Sequence, residues 1–337
     1  MHYYLGVDIG SVSSNFVLMT EELEIYKKVY LRTQGNPVKA IKEGYEIIKN
    51  SLTSASDNIT GVGTTGSGRH LAHVLMGADV VKNEITAHSV AASSLYPEVR
   101  TILEIGGQDS KIIIMRDGIV SDFAMNTVCA AGTGSFLDQQ SARLNIAIEQ
   151  FGELALESKQ PVRIAGRCGV FAESDMVHKQ QMGYPVADII MGLCEALVRN
   201  YLNNVASGKK IENKVVFQGG VAANAGLRKA FEKVLNVTIH VPENFEVMGA
   251  IGSAILAMEK MHHTITDTCF KGDSFILEGD FKTNSFECQG CPNQCEVVCI
   301  KRNAEALAFW GDRCKKWEAS IKGRPEIGNS ETILSLA

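Results

Sequence analysis

The chain opens on short apolar stretches broken by small residues. "MHYYLGVDIGS" enters a strand-like pattern at once, "SNFVLM" returns as a second strand, and "EIYKKVYLRT" (24–33) supplies a third. Apolar positions then recur at helical spacing over 36–50. The same order comes again further along. "VDIGSVSSNFVLM" (7–19) aligns without gaps on "LEIGGQDSKIIIM" (103–115), with Asp8 on Glu104, Ile9 on Ile105, Gly10 on Gly106, Ser14 on Ser110 and Met19 on Met115. "GIVSDFAMNT" (118–127) is then the third strand of the second copy. A helical pattern follows at about 130–145, where Phe136, Leu137 and Leu144 form part of an apolar face. Such a repeat predicts two β-β-β-α units facing each other, an α/β molecule of two lobes.

Composition narrows the setting. The 337 residues are 45% apolar and 21% charged, as in a soluble globular protein, and leave room for two domains with separate cores. A formal net charge of −5 gives no general pull toward nucleic acid or an anionic membrane. No apolar run approaches the ~20 residues of a membrane span, and the N-terminus lacks a signal-peptide layout. The expected location is the cytoplasm. There, nine cysteines are read as metal ligands, reactive thiols or buried residues rather than disulfides.

Two tight turns, each with an acid and glycines, are suited to grip the phosphates of one nucleotide from both sides. Asp8 is the candidate for Mg²⁺, because hard cations take oxygen ligands. Gly10, Gly106 and Gly107 admit close backbone approach, with Gln108 beside them, and Ser11, Ser13, Ser14 and Ser110 supply hydroxyls. Gly132, Thr133 and Gly134, in "NTVCAAGTGSFLDQQ" (126–140), form a further phosphate-side loop running into a helix. "FQGGVAAN" (217–224) follows the strand "KVVF" and opens a helix, so Gly219, Gly220, Val221 and Asn224 are expected on the adenosine side. "GVGTTG" (61–66) fits the dinucleotide fingerprint, but three strands and a helix precede it. Gly61 to Arg69 is expected instead as a loop facing the cleft. The P-loop pattern is absent.

The duplicated turns, "GGVAAN" and the helix "EVMGAIGSAILAM" (246–258) resemble the actin-like ATPase fold of acetate and sugar kinases. More narrowly, "DIGSVSSN", "GVGTTGSGR", "EIGGQDSK", "NTVCAAGTGSFLDQQ" and "GRCGVFAESDM" resemble the ATPase activators of 2-hydroxyacyl-CoA dehydratases and the related ATPase subunits of benzoyl-CoA reductases. The resemblance covers roughly residues 3 to 260. It implies a homodimer holding one [4Fe-4S] cluster between subunits, with Cys129 and Cys168 as ligands. It also implies ATP-driven, low-potential electron transfer from ferredoxin or flavodoxin to a cluster-containing dehydratase or reductase. It divides the chain into a first lobe (1–95), a second lobe with the cluster ligands (96–245), a helix returning to the first lobe (246–261) and a Cys-rich extension (262–337).

The residues support this reading from another side. A four-iron cluster usually wants four thiolates. Cys129 and Cys168 stand in Gly-rich segments near helix starts, where partial positive charge favours thiolates, and a two-fold axis doubles them. Cys194, on the apolar stripe of "IIMGLCEAL", reads as core. Asp109, with Glu104 second, is the candidate for positioning the attacking water. The competing reading is a small-molecule kinase with structural cysteines, which leaves Cys129 and Cys168 unexplained. The extension carries Cys288, Cys291, Cys295, Cys299 and Cys314. Its C-x₂-C-x₃-C run predicts a knuckle of Cys288, Cys291, Cys295 and Cys314 holding Zn²⁺ or a second Fe–S cluster, with Cys299 packed inward.

Overall fold

The computed structural model describes residues 1–54, 56–126 and 129–322. Thr127, which closes the third strand of the second repeat in the sequence reading, lies outside them, as do Val128 of the cysteine loop and the last part of the extension, 323–337.

Lobe 1 runs β1 (His2–Ile9), β2 (Ser13–Met19), β3 (Ile25–Arg32), α1 (Pro37–Ser51), β4 (Asn58–Thr65), α2 (Arg69–Met76), β5 (Val80–Val81) and α3 (Glu84–Leu95). Lobe 2 repeats the scheme with β6 (Thr101–Ile105), β7 (Ser110–Arg116) and β8 (Ile119–Asn126). It then inserts helices α4 (Gly134–Leu144), α5 (Ile148–Leu156), α6 (Gly169–Gln181) and α7 (Val186–Asn204) before β9 (Val215–Gln218), α8 (Ala225–Leu235) and β10 (Ile239–His240). The sheets have the orders β3-β2-β1-β4-β5 and β10-β9-β6-β7-β8, with hairpins on one side and parallel crossovers on the other. The register carries the repeat residue by residue. Asp8 pairs with Asn15 across β1 and β2, and Glu104 pairs with Lys111 across β6 and β7.

Helix α9 (Met248–His262) lies with α3 between the two sheets, where Ile251, Ala254 and Ile255 meet Val17, Met19, Ile102, Ile113 and Val216. This apolar layer joins the lobes beneath the cleft. Here the expectation for residues 61–69 is corrected. Gly61 to Thr65 are the buried end of β4, hydrogen-bonded between β1 and β5, and only the turn at Gly66–Gly68 reaches toward the cleft. The glycines serve packing, since a Cβ on Gly63 would overlap the Ser253 carbonyl of α9.

The extension folds as α10 (Gly272–Glu278), a three-stranded sheet of β11 (Phe281–Glu287), β12 (Glu296–Arg302) and β13 (Glu305–Trp310), and α11 (Lys316–Lys322). Ile276, Phe281 and Ile300 enter the core of lobe 1 beside Tyr45, Leu71, Leu75 and Met76. Asp79 ties the junction by accepting from Val62 N, Thr268 Oγ1 and Cys269 N at 2.7–2.8 Å.

Candidate functional site

The carboxyl ends of β1 and β6 face each other, and the chain turns identically after each. Gly10 N–H donates to the Ser13 carbonyl at 2.8 Å; at the equivalent positions Gly106 N–H donates to the Asp109 carbonyl at 3.0 Å. A second pair of positions repeats as well. Gly66 follows β4 and Gly219 follows β9, both at φ +88°, a conformation that favours glycine. A Cβ on Gly66 would meet Asp8 Oδ1 at 2.5 Å, and one on Gly219 would meet Glu104 Oε1 at 2.7 Å. Each acid is thus boxed in by its own lobe's glycine.

Between the turns lies a cavity of about 560 Å³, the size of a nucleotide pocket. Asp8, Gly10, Ser11, Ser13, Glu104, Gly106, Gly107, Gln108, Asp109, Gly134, Gly219, Gly220, Val221 and Asn224 all line it. Leu137, Ile148 and Gly152 add an apolar wall near the 219–224 loop, with Glu149 and Glu153 beside them. Four expected residues lie behind it: Ser14, Gly132, Thr133 and Ser110, whose side chain is fully buried. Ser14 points to the other face of β2 and is bonded to Thr33 Oγ1, which in turn holds the Gly10 carbonyl. Thr133 is fully buried and donates to the Ala130 carbonyl, while Gly132 backs onto Asn200.

The floor of the cavity holds a residue that the sequence reading passed over. Lys111, only 2% exposed at its side chain, reaches Glu84 Oε2 at 2.7 Å, Asp109 Oδ2 at 2.8 Å and Glu104 Oε2 at 2.9 Å. Glu84 begins α3 in lobe 1, so the cluster crosses the cleft. The signal was available: a lysine inside the apolar strand "DSKIIIM" needs a buried counter-charge. Glu84 and His88 had no such mark.

The electrostatics follow from one cation shared among several acids. Burial pushes the Glu104 carboxyl up to about 8, opposed by Lys111 and reinforced by Asp109. Burial and the Glu84 charge raise Asp8 to about 7. Burial works against the Lys111 ammonium, yet Glu104, Glu84 and Asp109 outweigh it and hold Lys111 firmly charged. Burial, then Lys111, depress His88 to about 4, so its ring is neutral and shares a 2.9 Å hydrogen bond with Gln218 of lobe 2. This floor suits a polyanion only together with a cation. Asp8 is a carboxylate there that could hold Mg²⁺, since hard cations take oxygen ligands.

The two thiols occupy neighbouring loops. Cys129 precedes a 3₁₀ turn, Ala130–Gly132, and its peptide is clasped by Asn126, which accepts from Cys129 N at 3.1 Å and donates to Cys129 O at 2.8 Å. Cys168 is the N-cap of α6, and a Cβ on the following Gly169 would touch Ala131 at 3.8 Å. Both thiols are half-buried. The loop of Cys129 is bonded to the turn after β6, because Gly134 N and Ser135 N donate to the carbonyls of Gly106 and Gly107 at 2.9 and 2.8 Å.

In the extension, Cys288 Sγ accepts from Trp317 Nε1 at 3.3 Å and from Gly290 N at 3.5 Å, which lowers its pKa. Cys299 is buried with Val297 and Phe309. Cys291 and Cys314 are exposed. Among the described residues, no three His, Cys, Asp or Glu side chains converge as a metal set, so the structure does not draw the four extension cysteines together. No helix of the described chain is long and apolar enough to cross a membrane.

A profile of the BadF/BadG/BcrA/BcrD ATPase family matches residues 5–257. The (R)-2-hydroxyglutaryl-CoA dehydratase activating ATPase of Acidaminococcus fermentans is 34% identical over 262 residues, covering 77% of this chain and 98% of that protein. The crystal structure of the A. fermentans (R)-2-hydroxyglutaryl-CoA dehydratase component A superposes with a TM-score of 0.71 at 33% identity, over 78% of this chain and 100% of that one. The activator of the 2-hydroxyisocaproyl-CoA dehydratase from Clostridium difficile, solved with bound ADPNP, gives 0.69 at 30%, over 77% and 96%. The two-lobed architecture is the expected actin-like ATPase fold.

Proposed function

The chain belongs to the BadF/BadG/BcrA/BcrD ATPase family, and from that premise we propose that it is a cytoplasmic, ATP-driven electron-transfer activator. Its partner is a cluster-containing protein of the 2-hydroxyacyl-CoA dehydratase or related reductase kind, its electron donor a ferredoxin or flavodoxin, and its working form a homodimer. One observation carries the reading: two half-buried thiols stand on adjacent loops at helix starts, and the loop of Cys129 is hydrogen-bonded to the phosphate turn at Gly106–Gly107. A kinase has no use for that connection.

When bound, a [4Fe-4S] cluster supplies a one-electron centre, and two copies of Cys129 and Cys168 about a two-fold axis supply the four thiolates it needs. The surface beside the thiols favours a second copy. Val170 and Phe171, in the first turn of α6, are 71% and 65% exposed, an apolar pair that water alone does not suit. On the nucleotide side, Asp8 holds Mg²⁺ while Ser11–Val12 and Gly107–Gln108, the tips of the two turns, offer backbone N–H groups to the phosphates. Asp109 orients the attacking water. Glu104 is second choice, because it is buried and pushed up to about 8. Lys111 neutralises charge on the floor and spans both lobes through Glu84.

The test is the iron, sulfide and zinc content of anaerobically purified protein, with its mass in solution. About four irons per dimer are expected, and Cys129→Ala should lose them together with electron transfer. A Cys129→Ala protein that keeps a full cluster sinks the ligand assignment. A wild-type monomer without iron, and with no site that can be reconstituted, returns the small-molecule kinase to first place.

A further inference from the structure

Asn200 and Tyr201 are consecutive on α7, both buried, and they face two different sites. The Tyr201 hydroxyl donates to the Lys111 carbonyl at 2.6 Å, so it holds the strand whose side chain anchors the acids of the cleft floor. Its ring is packed edge-on against Phe231, with centroids 5.4 Å apart. Asn200 turns to the cysteine loops instead. Its Nδ2 donates to the Gly166 carbonyl at 2.8 Å and the Arg167 carbonyl at 3.3 Å, immediately before Cys168. Those two acceptors fix which end of the amide is which. Oδ1 therefore faces Gly132, where a Cβ would come within 2.8 Å, in the turn that Cys129 opens. Among the described residues, this buried Oδ1 has no donor.

We infer that Asn200 and Tyr201 are positioning residues that carry the nucleotide state of the cleft to both cysteine loops. They touch neither nucleotide nor thiol. The physical chain has three links, each seen in the structure: Lys111 to Tyr201, Tyr201 to Asn200 through one rigid helix, and Asn200 to the loops of Cys129 and Cys168. A terminal phosphate that draws Lys111 from its carboxylates shifts β7. The packed Tyr201 ring leaves α7 little choice but to follow. The unmade hydrogen bond at Asn200 Oδ1 gives the junction a second arrangement to occupy, one in which an N–H of the 130–132 turn meets it. A ligand shifts such a pair of arrangements only by binding them unequally, and ATP and ADP differ in the phosphate that faces Lys111.

The inference rests on the proposed role of the two cysteines for its purpose, but its test needs no cluster. Amide hydrogen exchange of the full-length protein, as isolated anaerobically, is followed by mass spectrometry with Mg–ADP or a non-hydrolysable Mg–ATP analogue. In the wild type the analogue should change exchange about fivefold or more in two places, the turns at 10–13 and 106–109 and the loops at 129–135 and 164–172. Tyr201→Phe, which removes only a hydroxyl, should keep the difference at the turns and lose it at the loops. Asn200→Asp, which keeps the shape but removes the two donated bonds, should lose it at 164–172. Loops that respond as before in both variants overturn the inference, as does a wild type whose loops ignore the nucleotide. Absence of iron would defeat the electron-transfer reading and leave these exchange ratios standing.

Discussion

Lys111 decides most at the scale of single residues, because one buried ammonium answers Glu84, Glu104 and Asp109 together. Removing it strands buried carboxylates, so Lys111→Met should cost about 3–5 kcal/mol of unfolding free energy at neutral pH. The acids also set a pH dependence whose sign follows from their shifts. Glu104 at about 8 and Asp8 at about 7 bind protons more tightly in the folded chain than in the unfolded one. Their contribution is fully present below ordinary carboxylate values and is lost as pH rises through 7 and 8. His88, held near 4, acts oppositely, but only below its unfolded value of about 6.5. Between pH 6.5 and 8.5 the two carboxyls set the slope, with the lowered Cys288 thiol opposing them and the raised Cys194 thiol joining them toward the alkaline end. Stability without nucleotide or Mg²⁺, read from urea midpoints, should fall across that window by up to about 1.4 kcal/mol per pH unit for each proton. Glu104→Gln should flatten the fall, and a wild-type curve that rises instead contradicts the assignment. The sequence gives such residues away unevenly. Asp8, Glu104 and the turn glycines were legible because they repeat. Lys111 was visible only as an oddity in an apolar strand, and Glu84, His88 and Asn200 were silent, since their partners come from elements 27 to 130 residues away.

Elements were legible wherever their period was clean. The strands and helices of both repeats fall where alternation and helical spacing place them. The misreading at residues 61–69 has a specific cause. A glycine-rich segment reads as exposed turn, whereas Gly6 and Gly63 are strand residues whose missing side chains admit the α9 backbone against β1 and β4. No local pattern separates these uses, because the demand comes from a helix nearly two hundred residues later. The packing gives an expectation of its own. Gly63→Val would push a branched side chain into the Ser253 carbonyl, and backbone cannot step aside as a flexible side chain does. A loss at or above the ~1–3 kcal/mol usual for overpacking is expected, read as a lower thermal midpoint. Gly118→Ala, at an exposed turn where a Cβ meets nothing within 4 Å but φ is +76°, carries backbone strain of about 1 kcal/mol without any clash, and as the control it should cost less than Gly63→Val. Equal midpoints for the two variants would show that α9 is free to move off the sheet.

The plan of the whole molecule was the most legible level, because duplication writes the same physics twice and the two copies check each other. The extension was the least legible. Its cysteines drew attention to metal, while the features that bind it to lobe 1 are ordinary apolar residues without periodic emphasis. It lies beyond the family-matched residues, yet it is not a loose appendage. Ile276, Phe281 and Ile300 are buried with Tyr45, Leu71, Leu75 and Met76, and Tyr45 donates to Asp273 at 2.5 Å. At about 1.5–3 kcal/mol per fully buried large side chain, those three residues alone place roughly 5 kcal/mol or more at stake, as an upper-range figure. A chain ended after Thr264 should therefore melt well below the full-length protein and associate through the uncovered face of lobe 1. The full-length protein with Cys288, Cys291, Cys295 and Cys314 all changed to Ser separates packing from metal. If the extension acts through its apolar contacts, this variant should keep the midpoint of the full-length protein. If it melts like the truncated chain, the thiols hold the extension together, and the metal knuckle is what lobe 1 depends on. A truncated chain that stays monodisperse at an unchanged midpoint would mean that lobe 1 is complete without its cover.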